Sequence, residues 1–70
     1  KNKDVIRKAL AGSDKSLVCF VWNGEDERPT VALIKYIGGV SGNYIDHYSR
    51  SWLYADPVYG NDCFFIDSEV

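Results

Sequence analysis

The 70-residue sequence predicts a mainly β fold, in which five antiparallel strands curl into a small β-sandwich or barrel behind a short N-terminal helix. Three observations support this prediction. Apolar residues, many of them aromatic or β-branched, come in short runs that are typical of strands. All six glycines lie near predicted turns or element ends. The first two runs are apolar on both faces, so a second layer must cover one of those faces.

The helix is predicted over residues 4–10, "DVIRKAL", because its four apolar residues fall on one helical stripe. Gly12 can end this helix, and residues 13–16 form a polar linker to the first strand. We therefore expect a helix and linker over residues 1–16, followed by a single β domain over residues 17–70.

Two long strands come next. Residues 17–22, "LVCFVW", form a continuous apolar run, and residues 30–37, "TVALIKYI", form a second run in which Lys35 is the only charge. The loop between them, 23–29, begins with Asn-Gly, which is a strong turn signal. Three glycines within 38–43 indicate another turn. These features predict a β-hairpin at the start of the sheet.

The remaining strands are shorter. We expect them at 44–48, 51–58 and 63–66, with Pro57 placing the second of these at a sheet edge or a bulge. A competing interpretation makes 43–55 a helix, because three aromatic residues recur there every four positions. The β-branched and aromatic content favours strands. The "YGND" stretch before the last predicted strand is expected to turn.

Aromatic residues are dense near the C-terminal end of the chain, which raises the question of a recognition surface. A chain of this length buries only about 60% of the surface that its unfolded form exposes. We therefore expect four of these residues to form core and cross-strand pairs rather than a ligand platform: Trp52, Tyr54, Phe64 and Phe65.

The charge distribution argues against several classes of partner. Residues 1–16 hold five basic and two acidic residues, whereas residues 17–70 hold three basic and eight acidic ones. An acidic domain repels phosphate, so we expect no nucleic-acid binding and interpret the basic segment as a solvated face. No apolar run approaches the ~20 residues that span a bilayer, so we expect no membrane partner. The chain is expected to be a monomer.

The sequence gives little support for catalysis or for a cofactor. His47 is the only histidine, and a cysteine nucleophile would need it beside a thiol, whereas both cysteines lie in apolar runs. No phosphate-binding loop, nucleophile elbow or calcium loop is present. A zinc site would need a further cysteine or histidine cluster. We therefore expect no enzyme, no metal and no cofactor.

The two cysteines, Cys19 and Cys63, leave two interpretations open. They can be small buried hydrophobic residues of an intracellular protein, or they can form one disulfide in a secreted protein. A bridge that closes a loop of about 45 residues would contribute about 4 kcal/mol in the chain-entropy model. The sequence contains no methionine, which a removed signal peptide or a fragment boundary would explain.

The cysteine spacing and the hairpin together resemble a known family. The first cysteine lies in "VCFVWNG", the long apolar strand "TVALIKYI" follows, and the second cysteine opens "CFFI" 44 positions after the first. Over about residues 17–66 this pattern resembles the MAX effectors, the Magnaporthe avirulence and ToxB-like proteins secreted by plant-pathogenic fungi. That family usually has six strands, whereas five are predicted here.

The resemblance implies a disulfide-stapled β-sandwich of two antiparallel three-stranded sheets, with Cys19 and Cys63 as the bridge between the sheets. It implies a secreted effector that is translocated into the plant cell and binds a host protein, for example a heavy-metal-associated domain. It also implies that plant immune receptors can recognise the protein. The alternative is a small intracellular α+β regulatory or inhibitory binding protein of phage or plasmid type, with reduced cysteines.

If a strand edge binds the partner, backbone groups supply the affinity and outward side chains select the partner. The second strand is the candidate edge, with the stretch 44–48 beside it. The candidate partner-binding residues are Lys35, Tyr36, Tyr44, Asp46 and His47. Lys35 can equally be a charge that guards an edge against aggregation.

Overall fold

The fold is mainly β, as the sequence predicts, with one helix ahead of six strands in the part of the chain that the structure describes. The computed structural model describes residues 2–60 and 63–67. The elements, in chain order, are α1 at Asn2–Ala11, β1 at Ser16–Trp22, β2 at Thr30–Ile37, β3 at Tyr44–Asp46, β4 at Ser51–Trp52, β5 at Tyr54–Pro57 and β6 at Phe65–Ile66. Over these residues no helix has the length and apolarity needed to cross a membrane.

All six strands belong to one antiparallel sheet with the order β4-β3-β2-β1-β5, and β6 also pairs with β1. The two separate three-stranded sheets that the resemblance implies are not formed. The reason is that β1 pairs with β2 and also with β5 and β6, so the hydrogen bonding is continuous. The strand count reaches six because the strand predicted over 51–58 is divided into β4 and β5.

Leu53 separates β4 from β5. Its backbone N–H donates to the side-chain oxygen of Asn23 at 2.9 Å, which takes this N–H out of the sheet ladder. The competing helix over 43–55 is wrong, because this segment pairs as β3, β4 and β5. Pro57 ends β5 at the edge of the sheet order, a position that tolerates its missing N–H.

One side of β1 is shared between two strands. Its second half pairs with β5, and its first two residues pair with β6. Val18 lies at the junction: its N–H donates to the Phe64 carbonyl at 2.9 Å, and its carbonyl accepts from the Val58 N–H at 3.1 Å. The C-terminal segment therefore runs alongside β1. Positions 61 and 62 of the predicted "YGND" turn lie outside the described residues.

Helix α1 packs on one face of the sheet, where it contacts β1, β2 and β5. This face holds the hydrophobic core, whose buried members are Ile6, Leu17, Cys19, Val21, Ala32, Ile34, Tyr44 and Ala55. Along β1 the core residues occupy every second position, as the side-chain period of a strand requires. The predicted helix is confirmed, and it forms part of the core.

The register between β2 and β3 shifts between Ile34 and Tyr36, which marks a β-bulge. Ile34 is buried and Ile37 packs against the core, whereas Lys35 and Tyr36 are both exposed. In an unbroken strand, positions 34 and 37 would face opposite sides, so the extra residue brings Ile37 back to the core face. The sequence predicts a continuous strand here because nothing in its apolar pattern marks the bulge.

Candidate functional site

The face of the sheet opposite α1 is apolar and partly exposed. Five side chains on it form what we call the outer face: Phe20, Trp22, Val31, Leu33 and Tyr54. The register places Phe20 beside Val31 and Trp22 beside Tyr54. Phe20 is 39% exposed, Tyr54 43% and Val31 55%. The water-facing side of an antiparallel sheet is usually polar, so this apolar patch is typical of an interaction surface.

The aromatic rings of the outer face hold each other in place. Trp22 and Tyr54 stack with their ring centroids 5.6 Å apart and their planes at 17°. Beside β1, Tyr59 and Phe64 form an edge-to-face pair with centroids 5.7 Å apart, and both are exposed. Rings fixed in this way lose little conformational freedom when a partner binds them. They are therefore suited to act as anchors of an interface.

Acidic residues flank the outer face. The loop after β1 carries three consecutive exposed acidic residues, 25–27, and a single basic one, Arg28. Asp56 faces Phe20 across the β1–β5 pair. The surroundings therefore favour a partner that brings apolar and basic groups, and they disfavour a phosphate backbone.

The partner-binding residues expected from the sequence do not form one surface. β2 pairs with β1 on one side and with β3 on the other, so the expectation that it offers an open edge is wrong. Tyr44 and Asp46 are buried and cannot present their side chains to a partner. Lys35 and Tyr36 are exposed at the bulge, and His47 is half-buried. For these last three residues, contact with a partner stays a prediction.

Asp46 instead organises the hairpin loop between β3 and β4. Its Oδ1 accepts hydrogen bonds from the backbone N–H groups of Tyr48 and Arg50, each at 2.9 Å. Its Oδ2 accepts from Arg50 Nε at 2.8 Å and from Trp52 Nε1 at 2.9 Å. Burial alone would raise the pKa of Asp46, but the hydrogen bonds from Trp52, Arg50 and Tyr48 outweigh burial and lower it. The carboxylate therefore stays charged at neutral pH.

Arg50 and Ser49 complete this loop. The Arg50 guanidinium carbon lies 5.2 Å from the Tyr48 ring centroid and 5.4 Å from that of Trp52. Ser49 has a φ of 65°, a left-handed conformation that is uncommon for a residue other than glycine. The hydrogen bonds to Asp46 on either side of it hold this conformation. We interpret the cluster as a device for stability, because Asp46 is satisfied by donors of its own hairpin.

Cys19, one of the residues considered for catalysis, is a poor nucleophile in this structure. Burial, with smaller effects from Cys63 and Asp56, raises the pKa of the Cys19 thiol to about 12. The thiolate is the nucleophilic form, so Cys19 is unreactive at neutral pH. His47 Nδ1 is buried and has no hydrogen-bond partner among residues 2–60 and 63–67. In the same residues no group of three or more metal-ligating side chains is placed to hold an ion.

Cys19 and Cys63 are free thiols, so the disulfide implied by the resemblance is not formed. Cys19 is buried in the core, and Cys63 is half-buried and packs against the same core. The β1–β6 pairing ends at Leu17 and Phe65, and the residue opposite Cys19 is Pro57 of β5. Cys19 therefore fits the first of the two interpretations of the cysteines, that of a small buried hydrophobic residue.

We expect the two thiols to react with a maleimide at different rates in the native protein. Cys63 is partly exposed, whereas Cys19 is buried and its pKa is raised to about 12. Cys63 should therefore be labelled at least roughly 10-fold faster. Timed labelling followed by peptide mass spectrometry measures both rates, with Cys63→Ser as the control that takes up label only on unfolding. Equal rates, or labelling that requires a reductant, would contradict this prediction.

The sequence does not predict the outer face as a site. Of the four aromatic residues expected to form core and cross-strand pairs, Trp52 and Phe65 pack against the core, and Tyr54 stacks on Trp22 across the β1–β5 pair. Phe64 is exposed and contacts Tyr59 instead. The sequence does contain one indication of an exposed apolar surface, namely that the first two strands are apolar on both faces. In a 70-residue chain a single short helix can cover only one of those faces.

Comparisons with known proteins assign no family. No protein-family model, no curated protein and no solved structure matches the chain. The function must therefore be inferred from the residues and the geometry of the chain itself.

Proposed function

We propose that this chain is a non-catalytic protein-binding domain that contacts its partner through the outer face. The observation that supports this most is the partial exposure of neighbouring aromatic and aliphatic side chains on a regular sheet surface. Aromatic residues are enriched among the anchors of protein interfaces, where a few side chains contribute most of the binding energy. A single exposed apolar residue is common on protein surfaces and needs no explanation. Five neighbouring apolar residues that are partly exposed on one face are uncommon and indicate an interaction site.

The chemistry of the outer face also narrows the class of partner. The nearby carboxylates attract basic side chains and repel the phosphates of a nucleic acid. A guanidinium or ammonium group can lie over the exposed face of the Tyr54 ring, while apolar groups pack on Phe20 and Val31. We therefore propose a partner that offers a protein segment with both apolar and basic side chains.

Replacing Phe20 and Tyr54 with serine together is expected to weaken partner binding strongly. Loss of two aromatic anchors weakens an interface by about 2–4 kcal/mol, which raises the Kd roughly 30- to 1,000-fold. Immobilised wild type and the Phe20→Ser/Tyr54→Ser variant are each incubated with extracts of plant leaf and of bacterial cells. Each protein retained by the wild type is then purified and titrated calorimetrically against both. A true partner should lose most of its affinity for the double variant.

Val40→Ser is the matched control, because Val40 is a fully exposed apolar residue in a turn outside the outer face. It should bind the same partners as the wild type. Circular dichroism and urea unfolding establish whether the variants are folded. If the double variant does not fold, the single variants Phe20→Ser and Tyr54→Ser replace it in the binding measurement. Partners that bind wild type, control and outer-face variants equally would refute the proposal.

The finer proposal is a secreted effector of a plant-pathogenic fungus that binds a host plant protein, such as a heavy-metal-associated domain. Two features support it: six antiparallel strands, the number usual in MAX effectors, and a second cysteine, Cys63, that packs against the core to which Cys19 belongs. A partner retained from leaf extract through the outer face would support this assignment. A partner retained only from bacterial extract would count against it.

A second candidate is a small intracellular regulatory or inhibitory protein of phage or plasmid type. The two free thiols favour it, since reduced cysteines persist in the cytosol and disulfides form in secreted proteins. Intact mass with and without reductant, measured on protein exported through an oxidising compartment, separates the candidates. Two thiols that stay free there support the intracellular protein, and a bridge between them supports the effector.

A further inference from the structure

A cleft on the helix side of the sheet combines basic side chains from two elements. It lies between α1 and the C-terminal end of β2 and has a volume of about 250 Å³. We call it the basic cleft, and its lining residues are Arg7, Leu10, Ala11, Lys35, Tyr36 and Ile37. The outer face lies on the opposite side of the sheet, so a test of the basic cleft and a test of the outer face can succeed or fail independently.

The β-bulge builds one wall of the basic cleft. Because the register shifts between Ile34 and Tyr36, neither Lys35 nor Tyr36 takes a buried position of the strand. Ile37 returns to the core face and gives the cleft an apolar surface beside Leu10. Bulges occur often next to functional sites, where they redirect side chains, and here the redirected pair lines a cavity.

The two cationic side chains of the basic cleft, Arg7 and Lys35, can still donate hydrogen bonds to a ligand. Arg7 Nη1 lies 3.6 Å from Asp4 Oδ1, and both side chains are largely exposed, so this ion pair is weak. Within the described part of the chain, no acidic side chain lies at ion-pair distance from Lys35. The C-terminal end of α1 contributes a partial charge of about −0.5, which two full positive charges outweigh.

We propose that the basic cleft binds a carboxylate carried on a short apolar stem. The Arg7 guanidinium can donate two parallel hydrogen bonds to a carboxylate, and Lys35 supplies a second positive charge. The Tyr36 hydroxyl can donate a further hydrogen bond, and Leu10 with Ile37 can contact the stem. The volume suits a few carbon atoms rather than a drug-sized molecule. The carboxylate can belong to a free organic acid or to the C-terminus of a peptide.

Titration of isotope-labelled protein with hexanoate, followed through the NMR shifts of the backbone amides, tests this proposal. We expect saturable shifts at the residues that line the basic cleft, with a Kd on the order of 1 mM for so small a ligand. Hexanamide has nearly the same shape without the charge and should bind at least about 10-fold more weakly. Equal binding of the two compounds, or shifts confined to other parts of the chain, would overturn the proposal.

Arg7→Gln and Lys35→Gln are the test variants, because both side chains are exposed and their removal leaves the core intact. Each should weaken hexanoate binding about 5- to 10-fold. Lys8→Gln is the control, since Lys8 is exposed on the same helix but does not line the cleft. If Lys8→Gln weakens binding as much as Arg7→Gln, the attraction is a property of the whole basic segment and the proposed site is wrong.

A second arm of the titration identifies the source of the carboxylate. It uses the tripeptide acetyl-Ala-Leu-Leu with a free C-terminus and, as its control, the same peptide with a C-terminal amide. Tighter binding of the free-acid peptide than of hexanoate, with shifts at the same residues, assigns the basic cleft to a peptide C-terminus. Binding of hexanoate without the peptide assigns it to a small organic acid. Binding of neither compound refutes the carboxylate site.

Discussion

Replacing Asp46 with alanine is expected to lower the free energy of unfolding by about 2–4 kcal/mol. The Asp46 side chain is fully buried, and four hydrogen bonds converge on its two oxygens. Without the carboxylate, Arg50 Nε and Trp52 Nε1 lose their acceptor, and the Ser49 turn loses the bonds that fix it. Leaving donors unpaired costs more than an ordinary hydrogen bond contributes. A domain of this size has only roughly 3–5 kcal/mol of net stability, so the loss is severe.

Urea unfolding followed by tryptophan fluorescence measures this effect, and Trp52 reports on the site directly. Asp26→Ala is the matched control, because Asp26 is an exposed carboxylate in the loop after β1. Its free energy of unfolding should stay within about 0.5 kcal/mol of the wild type, as is usual for surface substitutions. An Asp46→Ala protein equally close to the wild type would show that the hairpin does not depend on the carboxylate.

The pH dependence of stability gives a second readout of the same carboxylate. The folded protein holds the pKa of Asp46 below its usual value, so the unfolded chain takes up this proton more readily. The stabilisation is fully present above the unfolded pKa of about 3.9 and is lost as the pH falls through the lower folded pKa. Asp46→Asn cannot titrate at this position, so its stability should fall less than that of the wild type on acidification. If the wild type and Asp46→Asn lost the same stability on acidification, the acid sensitivity would belong to other carboxylates.

The long strands are the part of the fold that the sequence predicts best. "LVCFVW" and "TVALIKYI" become β1 and β2 within one residue of their expected bounds, and the helix forms with a few additional residues. Continuous apolar runs rich in β-branched and aromatic residues indicate a strand from the local sequence alone, whereas the rest of the fold decides which of their side chains are buried. The competing helix over 43–55 had the right spacing for a helix, but Asp46, inside that stretch, accepts its hydrogen bonds in a hairpin loop.

Strand pairing depends on contacts between residues that are far apart in the sequence. The break between β4 and β5 comes from a hydrogen bond of Leu53 to Asn23, which lies 30 positions earlier. The bulge before Tyr36 appears only when β3 is aligned against β2. The two-sheet arrangement with its disulfide is what the family resemblance implies. That resemblance depends on cysteine spacing and hairpin order, and spacing along a chain does not determine the geometry that a disulfide requires.

The candidate site is harder to predict than the fold, because exposure depends on which face of the sheet is covered. Helix α1 covers the face of Leu17, whereas on the opposite face Ser16 and Val18 are buried and Phe20 is 39% exposed. Asp46 looks from the sequence like a solvent-facing strand residue, but donors from the next six positions allow it to be buried. Lys35 and Tyr36 do line a cavity, but they do so in the basic cleft and not at a sheet edge.

Ile6→Ala is the other substitution with a large expected effect, a loss of about 2–4 kcal/mol in the free energy of unfolding. Among the described residues of α1, Ile6 alone belongs to the fully buried core, and Ala9 and Leu10 pack around it. A helix of 10 residues is marginal in water, so α1 persists only while it is packed on the sheet. Loosening the helix should also weaken hexanoate binding, since Arg7 lines the basic cleft.

A graded series at position 6 separates burial from helix propensity. Alanine is the best helix former and valine a poor one, so propensity alone predicts decreasing stability in the order Ala, Ile, Val. Burial predicts the order Ile, Val, Ala, because valine loses a single methylene at a cost of about 0.5–1.5 kcal/mol. Lys8→Ala, at an exposed position of the same helix, should be neutral or slightly stabilising. If urea unfolding found Ile6→Ala as stable as the wild type, the sheet would have to hold its core face without α1, and the helix would be dispensable for both the fold and the basic cleft.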